Sequence, residues 1–159
     1  MFLAKIRNTR AFSLIELVIV VVIIGIIAAI AVPRMSRGAA GASDSALTAN
    51  LAVLRNAVDL FQTEHGGTFP ALADLPNALI QYSDASGTTF SATKTLTCIY
   101  GPYLRAVPAL PVGADKGKTS FVATYTAGNG WVYNAVTGQI TANCAPAEVD
   151  ATNKAYSSY

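Results

Sequence analysis

A single carboxylate, Glu16, stands in an apolar run from Phe12 to Val32 whose only other polar residue is Ser13. An ionisable group placed there costs on the order of a few kcal/mol in lipid, and such groups mark a function and a partner. No basic residue lies between Phe12 and Val32, so the partner must come from elsewhere. Cleavage before Phe12 would create an amine four residues away, one helical turn from Glu16 or beside the Glu16 of a neighbouring copy. Pairing between copies would set the axial register of a helical polymer. The structural alternative is a carboxylate that snorkels to the membrane interface.

The other reactive side chains form no constellation. His65 is the only histidine, and the acids are scattered, so neither a nucleophile with its base nor a paired-carboxylate site can be assembled. No enzyme is expected. His65 lies at a helix end, where it is expected to cap carbonyls. Cys98 and Cys144, the only cysteines, are 46 residues apart and fit no zinc or CxxC pattern. In an oxidising compartment they are a candidate disulfide; otherwise they are two inert core thiols.

The elements that carry these residues begin with a short basic leader, residues 1–11, containing Lys5, Arg7 and Arg10 and no acid. The apolar run that follows would make a helix about 31 Å long, enough for a hydrocarbon core of about 30 Å. The leader predicts a cytoplasmic N-terminus and an exported C-terminus, although Arg34 and Arg37 weaken the asymmetry. Ala29-Ile30-Ala31 offers a signal-peptidase pattern, but the run is longer than a signal h-region and carries Glu16, which a signal peptide has no use for. Removing residues 1–11 leaves eight basic residues against nine acids, a net charge of −1. A nucleic-acid surface is therefore not expected.

Beyond Pro33 and the small residues 38–43, Leu47, Leu51, Leu54, Val58 and Phe61 recur on one face of an amphipathic helix, with Asp44, Asn50, Arg55, Asp59 and Gln62 on the others. Gly66-Gly67 ends it. One helix from Phe12 to His65 would extend about 80 Å. Residues 68–97 read as loop with short helical pieces. Phe121–Thr126, Trp131–Tyr133 and Gln139–Thr141, separated by Gly128-Asn129-Gly130 and Gly138, predict a three-stranded antiparallel meander. Such a sheet needs a helix on one face, and the Leu47–Phe61 stripe supplies it. Trp131 is expected to be core packing. The fold class is α+β, a long N-terminal helix packed on a small antiparallel sheet. The organisation is leader 1–11, membrane helix 12–33, amphipathic continuation 34–66 and globular head 67–159. Gly25 and Pro33 weaken the helix between them, since interior Gly and Pro cost about 1 and about 3 kcal/mol. That stretch is expected to yield when copies assemble, or else to be a kink tolerated in lipid.

Arg10-Ala11-Phe12-Ser13-Leu14-Ile15-Glu16-Leu17, the apolar block to Val32 and Pro33 resemble the class III prepilin signal of type IV pilins and type II secretion pseudopilins. The resemblance implies cleavage between Ala11 and Phe12 by a prepilin peptidase, N-methylation of Phe12, and an assembly role for Glu16, which matches the family's carboxylate. Pro33 matches its helix-kinking proline, and Ala11 stands where the family usually has glycine. Tyr103 to Pro108, with Gly130-Trp131-Val132-Tyr133-Asn134 and Thr137-Gly138-Gln139-Ile140, is similar to the major, G-type pseudopilin. The resemblance thus implies a structural subunit of a pseudopilus that drives protein export, its head periplasmic and its helix in the inner membrane. Its implied partners are copies of itself, minor pilins or pseudopilins, the peptidase and methyltransferase, and an inner-membrane assembly platform. The alternatives are a surface pilin for adhesion, motility or DNA uptake, which a Cys98–Cys144 clamp favours, and a membrane-anchored binding module that does not polymerise. Calcium, common in G-type heads, is not carried over, because Asp115, Glu148 and Asp150 lack the dense oxygen-ligand spacing it requires.

Overall fold

The computed structural model describes residues 12–159, apart from the side chains of residues 32, 33, 36 and 37. The chain divides into two compact units, Met1–Ala39 and Ala40–Tyr159. Helix α1, Leu14–Glu64, is continuous across that division and passes through both Gly25 and Pro33 without interruption.

In the first unit, α1 begins where the Ser13 carbonyl accepts the Glu16 and Leu17 N–H groups at 3.1 and 3.2 Å. From Leu14 to Ala31 the helix is long and apolar enough to cross a membrane, and none of that stretch is buried by protein. Branched and straight aliphatic residues occupy every face, so no stripe points to a core. That is the pattern of a helix whose solvent is lipid or other apolar helices.

In the second unit the helix turns amphipathic. Leu47, Leu51, Leu54, Ala57, Val58 and Phe61 are all buried, and all but Phe61 belong to one core with Leu75, Leu79, Leu110, Trp131, Tyr133 and Ile140. The helix closes at Gly66 and Gly67, both with positive φ, and the Gly67 N–H bonds back to the Gln62 carbonyl at 2.8 Å. This satisfies a carbonyl that the helix end would leave open.

A short helix, α2 (Leu75–Ile80), has Pro76 in its first turn, where proline's missing N–H costs nothing. Two strands follow, β1 (Tyr82–Ser83) and β2 (Phe90–Ser91), paired antiparallel. This hairpin lies in the stretch expected to be loop. Its turn is tied by Asp84, whose carboxylate accepts the Thr88 and Thr89 N–H groups at 3.1 and 3.2 Å and the Ser86 hydroxyl at 2.8 Å.

The last sheet contains β3 (Phe121–Val122), β4 (Trp131–Tyr133) and β5 (Ile140–Ala142) in that order. β4 and β5 are antiparallel, as expected, with Trp131 opposite Ala142 and Tyr133 opposite Ile140. β3 departs from expectation: it is two residues long and runs parallel to β4. The reason lies in residues 123–130, which form a loop instead of a tight hairpin turn. The buried Asn143 side chain accepts the Thr126 N–H at 3.1 Å and donates to the Thr126 and Asn129 carbonyls at 2.8 and 2.9 Å. Asp115 takes the Gly128 N–H at 2.7 Å. A loop held by side chains from two other segments need not reverse the strand direction. Trp131 and Tyr133 point inward and are fully buried, while Val132 between them is half-exposed.

Candidate functional site

The features that could act on other molecules lie at the start of α1. Phe12 precedes the helix and is 77% exposed, and Glu16 sits in the first turn. A carboxylate there is favoured by the partial positive charge of the helix N-terminus. Glu16 follows Phe12 by four residues, Phe12 lying just before the helix and Glu16 within it. Ala11, the other residue of the expected cleavage site, lies outside the described residues. Gly25 has open space around it, with nothing within 4 Å of where a Cβ would stand. A glycine with that space loosens the helix and leaves its surface open to close approach by another helix. Pro33 is also helical, at the expense of a donor for the Ala29 carbonyl.

Cys98 and Cys144 are not brought together. Both are buried free thiols, and the candidate disulfide is not formed. The Cys98 thiol points to the Thr89 carbonyl at 3.7 Å, beside the hairpin. Cys144 belongs to the main core and lies close to Gly113 and Glu148. Burial first, then the nearby Glu148 and Asp115 charges, push its thiol up to about 12, which keeps it protonated and inert.

His65 is buried and stacked on Phe61, with ring centroids 3.9 Å apart. Its Nδ1 faces the Phe61 carbonyl at 2.7 Å, the helix-end contact anticipated for it. Its Nε2 also reaches the Asp84 carbonyl at 3.0 Å and the Ser83 hydroxyl at 3.1 Å. His65 thereby ties the end of α1 to the hairpin, a link the sequence did not disclose. The Ser83 hydroxyl beside it is fully buried, so this pair faces no substrate.

The oxygens of the late acids are already bonded within the chain. Glu148 accepts the Ala114 and Ala145 N–H groups at 2.6 and 2.7 Å. Asp115 accepts Gly128 N–H, and Asp150 accepts the Thr152 and Lys154 N–H groups, the Thr152 hydroxyl and the Tyr159 hydroxyl. The Tyr159 hydroxyl bond is the main cause holding Asp150 well below the usual carboxylate range. These carboxylates are spent on loop N–H and O–H donors instead of converging on one point. Among the described residues no group of three His, Cys, Asp or Glu could hold a metal ion. The residues do not fit calcium.

One residue with a large structural role was not singled out from the sequence. Arg55, half-buried, donates from Nε and Nη2 to the Ile140 carbonyl at 3.2 and 2.8 Å, and from Nη2 to the Tyr159 carbonyl at 2.7 Å. It clasps β5 and the final 3-10 turn, Tyr156–Ser158, to the helix. Its position beside the buried stripe was the only available signal. Trp131, expected as packing, is buried and also donates its indole N–H to the Pro108 carbonyl at 2.9 Å.

In comparison with known proteins, no curated protein and no solved structure matches the chain. Residues 6–32 match the family model of the prokaryotic N-terminal methylation motif. Over those residues, the stretch that holds Phe12, Glu16 and Gly25, the chain is similar to type IV pilin-like prepilins.

Proposed function

We propose that the mature chain is a structural subunit of a type IV pilus-like filament, and specifically a type II secretion pseudopilin of a periplasmic pseudopilus that drives protein export. The observation that carries this reading is Glu16, four residues after Phe12 and in the first turn of an apolar helix that its own chain leaves uncovered. It lies within a match to the methylation motif at residues 6–32. A prepilin peptidase cleaves after Ala11, and Phe12 is methylated. The new amine and Glu16 then neutralise each other between successive copies. The helix passes from the inner membrane into the filament, with the Gly25 to Pro33 stretch yielding as it does so. The C-terminal unit faces the periplasm, and the assembly platform and minor pseudopilins complete the machine.

The choice of pseudopilin over surface pilin rests on the Tyr103–Pro108 and Gly130–Ile140 segments. The surface-pilus reading drew on a Cys98–Cys144 clamp, and with both residues free thiols it loses that support.

The test is Glu16→Ala in cells that assemble the filament. Filament yield is expected to collapse while the chain still accumulates in the membrane; an unchanged yield refutes the pairing. Mass spectrometry of the mature chain is expected to find methylated Phe12 at its N-terminus.

A further inference from the structure

The exposed face of α1 in the second unit is not uniformly polar. Val53 and Leu60 are about half-exposed there, and Asn56, Asp59, Leu60 and Thr63 line an open groove of about 380 Å³. Elsewhere in the same unit Leu96 is 101% exposed, touching nothing of its own chain. It therefore does not fill that groove within one copy.

Leu96 is held out by a built turn. The Thr95 N–H donates to the Cys98 carbonyl at 3.1 Å, and the Cys98 N–H donates to the Thr95 hydroxyl at 2.9 Å, closing the chain on either side of it. Ser91 Oγ accepts the Thr93 N–H at 3.3 Å and donates to the Thr93 carbonyl at 2.8 Å. The buried Cys98 fixes the base of the turn. Lys94 precedes the leucine by two residues and is exposed, as is Asp59 beside Leu60 in the groove. The chain thus offers an ordered apolar knob with a cation near it, and separately an open groove in which Leu60 is the apolar residue and Asp59 the anion.

We infer that Leu96 of one copy seats in the Asn56–Thr63 groove of the next copy, with Lys94 set against Asp59. Knob and groove are different surfaces, so the contact is head to tail, the kind that propagates as a helical polymer when its rotation does not close a ring. Because the turn is ordered before contact, little freedom is lost on docking. The charge pair fixes which way round the knob enters and disfavours other partners. This inference rests on the filament reading and adds to it a contact between C-terminal units.

The test uses the full-length chain in cells that assemble filaments. A Leu96→Cys, Leu60→Cys double variant is oxidised and the sheared filaments are run without reductant. A ladder of disulfide-linked oligomers is expected, and no ladder from either single variant or from Val136→Cys with Leu60→Cys, although Val136 is 85% exposed. Lys94→Asp is expected to lower filament yield by roughly tenfold through like-charge contact, and adding Asp59→Lys to restore it. Both sites are on the surface, so the variants fold. Filaments that form normally but give no ladder, with Lys94→Asp neutral, overturn the contact and leave the filament reading standing. A ladder equally strong with the Val136 pair, or a covalent dimer that never extends, also overturns the contact. If the unaltered chain forms no filament, the filament reading falls, and this contact with it.

Discussion

Replacing Arg55 with alanine tests whether the C-terminal segments are held to the helix by hydrogen bonds as well as by the core. The guanidinium makes three contacts of 2.7–3.2 Å to two carbonyls, those of Ile140 and Tyr159, which lie 85 and 104 residues further along the chain. A hydrogen bond to a charged group contributes about 1.5–3 kcal/mol, and an acceptor left without its donor costs about 1–3 kcal/mol when sealed from water. These carbonyls are not sealed, because Arg55 borders an open cleft of about 380 Å³ with Asp59, Gln139 and Tyr159. Water can take up part of the loss, so the low end applies, roughly 2–4 kcal/mol for both acceptors together. Against a total stability of about 5–15 kcal/mol this is a large fraction. Arg55→Lys keeps the charge but not the fork, and is expected to retain about half of the effect. The measurement is denaturant unfolding of the purified chain followed by Trp131 fluorescence. A loss below about 0.5 kcal/mol for Arg55→Ala, the range of ordinary surface changes, would falsify the clasp. No loss for Arg55→Lys would show that the fork geometry does not matter.

Gly138 has φ +72° and a Cβ there would stand 2.2 Å from the Phe69 ring, so Gly138→Ala should cost at least about 2 kcal/mol from backbone strain and overpacking together. Adding Phe69→Leu should recover the packing part alone, read in the same unfolding assay. Thiol titration under denaturing, non-reducing conditions should count two free thiols per chain, and protection before unfolding, since Cys98 and Cys144 are both buried and unbonded; a count of zero would contradict the structure. At high pH the direction follows from proton linkage. Burial pushes Tyr133 up to about 12 and Cys144 up to about 12, from ordinary values of 10 and 9, and burial with the Asp44 bond does the same for Tyr156. The unfolded chain releases these protons first, so stability is full below about pH 9 and falls as pH rises toward 12. A melting temperature flat from pH 8 to 12 would refute the burial of these groups.

The parts of this fold that were legible were those written as a period. Leu47, Leu51, Leu54, Val58 and Phe61 were named from their spacing, and all five are at most 1% exposed. β4 and β5 were equally legible, because alternation in Trp131–Tyr133 and Ile140 next to Gly138 specify a half-buried pair. What escaped was set by single polar side chains, which leave no period in the sequence. The β1–β2 hairpin depends on Asp84 and has too few residues to show alternation. The parallel course of β3 depends on Asn143, distant from it in sequence, and on Asp115, whose bond to the Gly128 N–H no periodic pattern marks. Arg55 read as one more polar residue off the apolar face, since nothing local announces two carbonyls beyond residue 139. The cysteine pair escaped for the same reason: spacing gave two options, and the structure places the thiols in different surroundings.

The site at the start of α1 was legible through composition, and its physics explains why one carboxylate carries so much of the proposed function. Between Leu14 and Ala31 the helix has no buried residue and no polar face, so lipid or other helices must cover it. Exchanging lipid for neighbouring helices gains little from the hydrophobic effect, because lipid tails are as apolar as the side chains they replace. Selection of one register must then come from close approach at small residues and from whatever polar group is present. Gly25, Ala28, Ala29 and Ala31 supply the first, and Glu16 supplies the second. An aliphatic surface built mostly of Val, Ile and Leu looks much the same after a shift of one turn, whereas a charge pair does not. In the filament reading Glu16 therefore decides alignment more than it decides affinity. Glu16→Gln, which keeps size and hydrogen bonding but not charge, separates the two roles: it should give filaments reduced in number or disordered in register, while membrane insertion of the chain is unchanged.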